Sequence, residues 1–126
     1  NELVVGFPID ERVLGFQKKY DYAAVSPAYD IWKLKRNDIP VEYLEHILRS
    51  ETAIKIYKKS MKGTANRRRV VPKEVFLSIT IPIPSEDYVH KVSKRITEIE
   101  NSNIELKNKI NKNDELLATL VENVWK

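Results

Sequence analysis

The sequence predicts an α/β (α+β) domain followed by one long C-terminal coiled-coil helix. Three observations carry that prediction. Residues 85–126 repeat their apolar positions in the 3,4 rhythm of a heptad seam. Residues 1–84 mix strand-like alternation with two short amphipathic helical stretches. Between them stands Ile81-Pro82-Ile83-Pro84, where two prolines interrupt backbone hydrogen bonding, so the boundary falls at 84/85.

In chain order, residues 2–7 read as a short buried strand closed by Gly6-Phe7-Pro8. Residues 9–21 have no clear period, and Gly15 and Asp21 suggest a loop or hairpin. Tyr22–Ser26 and Tyr29–Leu34 read as strand, broken at Ser26-Pro27. Trp32 and Leu34 share one face, with Tyr29, Ile31 and Lys33 on the other, so both faces are expected to be covered. After a turn at Arg36-Asn37-Asp38, Pro40 sits at the first turn of a helix from Val41 to about Ser50, with Asp38 or Ile39 near its cap. A second helix from Glu51 to about Met61 buries Ala53, Ile54 and Tyr57 and turns Lys55, Lys58, Lys59 and Lys62 outward. Gly63-Thr64-Ala65-Asn66 is a small-residue turn. Arg67–Val71 reads as a strand, Pro72–Leu77 as one helical turn and Ser78–Ile83 as a further strand.

The last third is the most regular part of the chain. Val89, Val92, Ile96, Ile99, Asn103, Leu106, Ile110, Asn113, Leu117, Leu120 and Val124 form an unbroken a/d register over five heptads, with no Gly or Pro after Pro84. Ser85 is placed to cap the first free amides, and Glu86 and Asp87 stand where the helix dipole favours negative charge. At ~1.5 Å per residue such a helix runs roughly 60 Å. An 84-residue domain cannot cover that length, so the seam calls for a second helix, most simply from another copy of the chain. Asn103 at an a position and Asn113 at a d position set register, because a buried amide must meet another polar group.

Composition narrows the chemistry. There is no cysteine, hence no disulfide, thiolate metal site or Cys nucleophile. No apolar run approaches the ~18 residues that span a bilayer, and Leu3–Phe7 lacks the flanks of a signal peptide, so a cytoplasmic protein without a membrane partner is expected. The start at Asn1 on a strand-like segment suggests a piece of a longer polypeptide. His46 and His90 lie far apart without metal-ligand spacing, and Asp10, Gln17 and Lys19 make only a degenerate nuclease-like pattern. No P-loop surrounds Gly63-Thr64, and no Gly-rich cofactor loop or Asn/Asp-Pro-Pro-aromatic motif is present. No catalytic residue, metal site or cofactor is expected.

Charge supplies the positive signal. Lys55, Lys58, Lys59, Lys62, Arg67, Arg68, Arg69 and Lys73 fall within one segment free of acidic residues. Their +8, set against a total of +4, leaves −4 for the rest of the chain. Such a concentration suits a polyanion. The lysines would position phosphates of double-stranded DNA, with Thr64, Asn66, Arg67 and Arg69 on or beside the turn as candidates near the bases.

Taken together, AVSPAYDIW, then LEHILRSETAIK, then GTANRRRVVPKEVFLSITIPIP, then the heptad helix resemble part of the DNA specificity subunits of type I restriction–modification systems. The likeness spans roughly residues 22–126 and covers the C-terminal half of a target recognition domain with its following helix. It implies a non-catalytic DNA reader whose long helix is a coiled-coil spacer and whose partners are adenine-methyltransferase subunits. The family's loop near the end of that domain corresponds to Gly63–Arg69. Two departures stand out: a single helix with about two-thirds of one domain, and Ser85-Glu86-Asp87-Tyr88 where a Glu-Gln pair usually opens the helix. The alternatives are a coiled-coil oligomerisation module without DNA recognition, or the recognition tail of a fused methyltransferase–nuclease.

Overall fold

The computed structural model describes residues 2–6, 8–61 and 70–126. A three-stranded antiparallel sheet of order β2-β1-β3 is built from β1 (Glu2–Val5), β2 (Leu14–Phe16) and β3 (Asp30–Lys33). Leu3 stands opposite both Phe16 and Trp32, so these three share the face turned to the core. Helices α1 (Val41–Leu48), α2 (Glu51–Ser60) and α3 (Lys73–Ser78) cover that face, and α4 (Glu86–Val124) leaves the body as a 39-residue helix. The fold is therefore mixed α+β with a long C-terminal helix.

A 3-10 turn (Ile9–Glu11) joins β1 to β2 and ends at Arg12, whose φ of 64° is left-handed. Arg12 is held there by its own side chain. Its Nε donates to the Arg49 carbonyl at 2.9 Å, and its guanidinium pairs with Glu51 at the α1–α2 corner. Just before the turn, a Cβ on Gly6 would stand 2.8 Å from Val13 Cγ1 and 2.9 Å from Tyr29 Cζ, so no side chain fits.

Two apolar clusters share the interior. The larger joins Leu3, Ile9, Leu14, Leu48, Ala53, Ile54, Tyr57 and Val71, and its edge is closed by Trp32 stacked on Phe76 at 5.6 Å. Tyr57 is fully buried, its hydroxyl donates to the Leu48 carbonyl at 2.8 Å, and burial pushes its pKa up to about 12. The smaller cluster, Ile39, Tyr43, Leu44 and Val89, fastens α1 to the start of α4.

Several expectations need correction. Tyr22–Ser26 is not a strand: Pro27 offers no amide, and Ser26 instead accepts from the amides of Ala28 through its Oγ and of Tyr29 through its carbonyl. Only one face of β3 is covered, since Ile31 is 54% exposed. Ser78–Ile83 forms no ladder; α3 runs through Ser78, and prolines 82 and 84 deprive the next residues of donors. Ile79 and Ile81 still pack onto the core, and the Pro82 carbonyl accepts from Tyr43 Oη at 2.7 Å. Pro40 itself occupies the N-cap of α1, and Ser85 caps α4 by position alone, without a side-chain bond. By contrast α2 has a working cap, Ser50 Oγ accepting from Ala53 N at 3.3 Å.

Glu45 ties α1 to the outer edge of β2. Its carboxylate accepts from Phe16 N at 3.3 Å and meets Lys18 Nζ at 3.1 Å and Arg49 at 3.3 Å. Burial raises this carboxyl, but the Lys18 and Phe16 hydrogen bonds and the charges of Lys18 and Arg49 outweigh it and hold the pKa below the usual range. A depressed folded pKa contributes stability that is present above the unfolded pKa and lost as pH falls through the folded one. Glu45→Gln is therefore predicted to lower stability at neutral pH by about 1–3 kcal/mol. The deficit should vanish in acid; urea melts at pH 7 and pH 3 measure it, and an equal deficit at both would rule out the charge.

Candidate nucleic-acid interface and helix seam

Helix α2 segregates its residues by the 3.6 period. Ala53, Ile54 and Tyr57 enter the core, while Lys55, Lys58 and Lys59 are exposed and form no ion pair with any described residue. Lys58 and Lys59 also occupy the last turn, where the helix dipole favours positive charge. The stems are anchored by a rigid element, so three ammonium groups are presented together to solvent. Lys62, Thr64, Asn66, Arg67 and Arg69 lie outside the described residues, as does Arg68. Lys73, the last cation of the segment, is engaged by Asp30 at 2.9 Å across the α3–β3 junction.

A second basic and aromatic stretch spans the expected loop or hairpin of residues 9–21 and the start of the expected strand Tyr22–Ser26. Between β2 and β3 the chain is exposed, with Tyr22 at 95% and Lys19 Nζ 5.2 Å from the centre of the Tyr20 ring. The signal was the interleaved Lys18-Lys19-Tyr20-Asp21-Tyr22. Lys18 is not free for a ligand, because it bridges Glu45 and Glu42.

The other candidate chemistry is occupied or dispersed. His46 Nε2 meets Glu100 at 3.1 Å, and His90 meets Glu86 one turn back on α4 at 3.7 Å. Asp10 is buried in the 3-10 turn, whereas Gln17 Oε1 accepts from Lys19 N at 3.0 Å on the exposed loop. No group of three or more His, Cys, Asp or Glu residues suited to a metal occurs among the described residues. An apolar cleft of about 280 Å³ opens between α1, α2 and residues 79–82, lined by Ile47, Ile56, Ile79 and Ile81. None of the described residues that line it is charged.

The seam of α4 is divided. Val89 and Ser93 are buried against the body, Val92 and Ile96 are half-buried, and the His46–Glu100 pair closes this docked section. From residue 101 onward every residue is exposed, so Asn103, Leu106, Ile110, Asn113, Leu117, Leu120 and Val124 stand in solvent together with Ile99. No helix among the described residues is long and apolar enough to cross a membrane.

The docked section sets how the long helix leaves the domain. Leu44→Ala opens a cavity under Val89 and is predicted to cost about 2–5 kcal/mol. Tyr43→Phe should cost about 0.5–1.5 kcal/mol through the lost Pro82 bond. Lys55→Ala with Lys58→Ala and Lys59→Ala should leave stability within about 0.5 kcal/mol, as expected for exposed positions. Thermal melts distinguish the three; a large loss in the lysine variant would show that the face is structural. Protein-family models, curated proteins and solved structures offer no match to this chain.

Proposed function

We propose that this chain is a DNA-reading part of a type I restriction–modification specificity subunit, non-catalytic itself and acting with adenine-methyltransferase partners. The observation that carries the proposal is the exposed Lys55/Lys58/Lys59 face of α2, which leads straight into Gly63–Arg69 on a domain that also bears a long helix with an uncovered seam. The lysines hold the phosphate backbone and set orientation, while Thr64, Asn66, Arg67 and Arg69 lie next in sequence to reach base edges. The seam beyond Ile99 is a coiled-coil spacer that pairs with another helix and holds recognition domains apart. The order of the motifs along the chain, from Val25-Ser26-Pro27 to the heptads, supports the same assignment.

A second reading, an oligomerisation module whose basic segment is incidental, is favoured by the uncovered seam alone. Salt titration separates the two. A DNA reader binds a labelled duplex at low salt with an affinity that falls as salt rises, by about 0.9 log units per log unit of salt for each phosphate contact. Arg67→Ala with Arg69→Ala should weaken binding and flatten that slope, and the triple lysine-to-alanine variant should flatten it by roughly 2–3. Unchanged affinity and slope would give these residues a structural role. Self-association without any DNA binding at low salt would favour the oligomerisation module. Purification from the native cells should also bring down an adenine methyltransferase in stoichiometric amount, identified by mass spectrometry.

A further inference from the structure

The cleft between α1, α2 and residues 79–82 is aliphatic inside and cationic beside its mouth. Its walls include Ile47, Leu48, Ala53, Ile56, Ile79 and Ile81, and it measures about 280 Å³. The four isoleucines are only half-buried, so each leaves hydrocarbon uncovered beside the cleft. The hydroxyl of Ser50, also in the lining, is already committed: it donates to the Ile47 carbonyl at 2.7 Å and accepts from the Ala53 amide at 3.3 Å. Thr52 and Thr80, the other polar side chains of the lining, are exposed. The wall made by residues 79–82 is pinned at both ends. The Ile79 amide donates to the Phe76 carbonyl at 3.3 Å, and Tyr43 Oη donates to the Pro82 carbonyl at 2.7 Å. The cleft is therefore formed by the fold itself, as ligand sites commonly are.

Helical spacing brings charge to this mouth. Lys55 follows Thr52 by three residues and Lys59 follows Ile56 by three, so both stand next to lining residues on the surface of α2. Both are exposed, and Glu51, one turn before Lys55, is taken by Arg12. A fitting occupant therefore brings an apolar body and a negative end. A peptide segment fits poorly, because its amides would meet aliphatic walls whose one inner hydroxyl is spoken for, and unpaired amides out of water are costly. An alkyl chain carries no such groups. At ~30 Å³ per water the cleft has the volume of about nine waters, and so of a chain with a similar count of methylenes.

We infer that this cleft binds a medium-chain aliphatic carboxylate, with its chain among the isoleucines and its carboxylate at Lys55 and Lys59. Such a ligand shares these two lysines with the DNA phosphates proposed above, but its site needs no DNA. Sodium decanoate below its micelle concentration tests it, followed through the δ1-methyl resonances of labelled isoleucines in the full chain. Ile47, Ile56, Ile79 and Ile81 should shift saturably, while Ile99, Ile104 and Ile110, exposed on α4, stay still. Decanoate should bind roughly fifteenfold tighter than octanoate, at about fourfold per methylene. Lys55→Gln with Lys59→Gln should weaken decanoate by roughly tenfold, as for two exposed ion pairs, and leave decanol unchanged. Ile56→Trp should fill the cleft and abolish binding, with a thermal melt to verify its fold; the lysine variant changes exposed positions only and tests the site independently. Shifts of the α4 methyls in step with those of the cleft, without saturation, would mean that decanoate merely coats exposed hydrocarbon and would overturn the site. Equal weakening of decanol and decanoate in the lysine variant would overturn the carboxylate's placement and with it the ligand class. Shifts of the cleft methyls on concentrating the chain alone would put a second copy there instead.

Discussion

Helix α1 is the joint on which both halves of the molecule depend. On one side Glu45 accepts the Phe16 amide at the open edge of β2, and Leu48 enters the main core. On the other, Tyr43 and Leu44 receive Val89, Tyr43 Oη fixes the Pro82 carbonyl, and His46 reaches Glu100. An edge strand with unpaired amides and a helix with an apolar face are each unstable alone, and α1 satisfies both at once. It does so with eight residues. Because α2 follows from Ser50 without a linker, the same joint also orients the lysine face.

The contrast between the two ends of α4 follows from that joint. Eight residues of α1 span about 12 Å, which covers two or three turns of a neighbouring helix. That is the extent observed: burial at Val89 and Ser93, partial cover at Val92 and Ile96, and the last contact at Glu100. Ser93 is instructive, because its Oγ is buried without a hydrogen-bond partner in a docked face that otherwise carries valine and isoleucine. A small side chain at that level lets the helices approach closely, and the orphaned hydroxyl is the cost. Past the reach of α1 nothing in the described residues covers the seam, and every residue from 101 onward is exposed.

Elements whose signal is periodic were legible in the sequence. The split of α2 into Ala53, Ile54 and Tyr57 inside and three lysines outside, the short α3 and the long α4 all follow from residue spacing that one helix imposes on itself. Strand pairing was less legible, because a ladder depends on residues distant in sequence. Ser78–Ile83 alternates as a strand should, yet Pro82 and Pro84 withhold donors and the sheet finds its third strand in Asp30–Lys33 instead. Gly15 suggested a turn and sits within β2 opposite Val4. Charge was legible as a cluster but not as a set of partners: Lys73 is claimed by Asp30 and Lys18 by Glu45, whereas Lys55, Lys58 and Lys59 have no described acid in reach.

A basic residue paired with a carboxylate must lose that partner before it can serve a phosphate, so its net gain on binding is small. An unpaired lysine on a rigid helix starts with its charge solvated and its backbone already ordered, and it releases a counterion from the polyanion on contact. By this measure α2 is the better platform than the β2–β3 loop, where Lys18 is already engaged and Asp21 dilutes the charge. Phosphate contacts alone carry no sequence information. Under the proposed function, selectivity would come from the polar residues that follow α2 in the sequence; α2 itself is held by its Ser50 cap and by Tyr57 at the core.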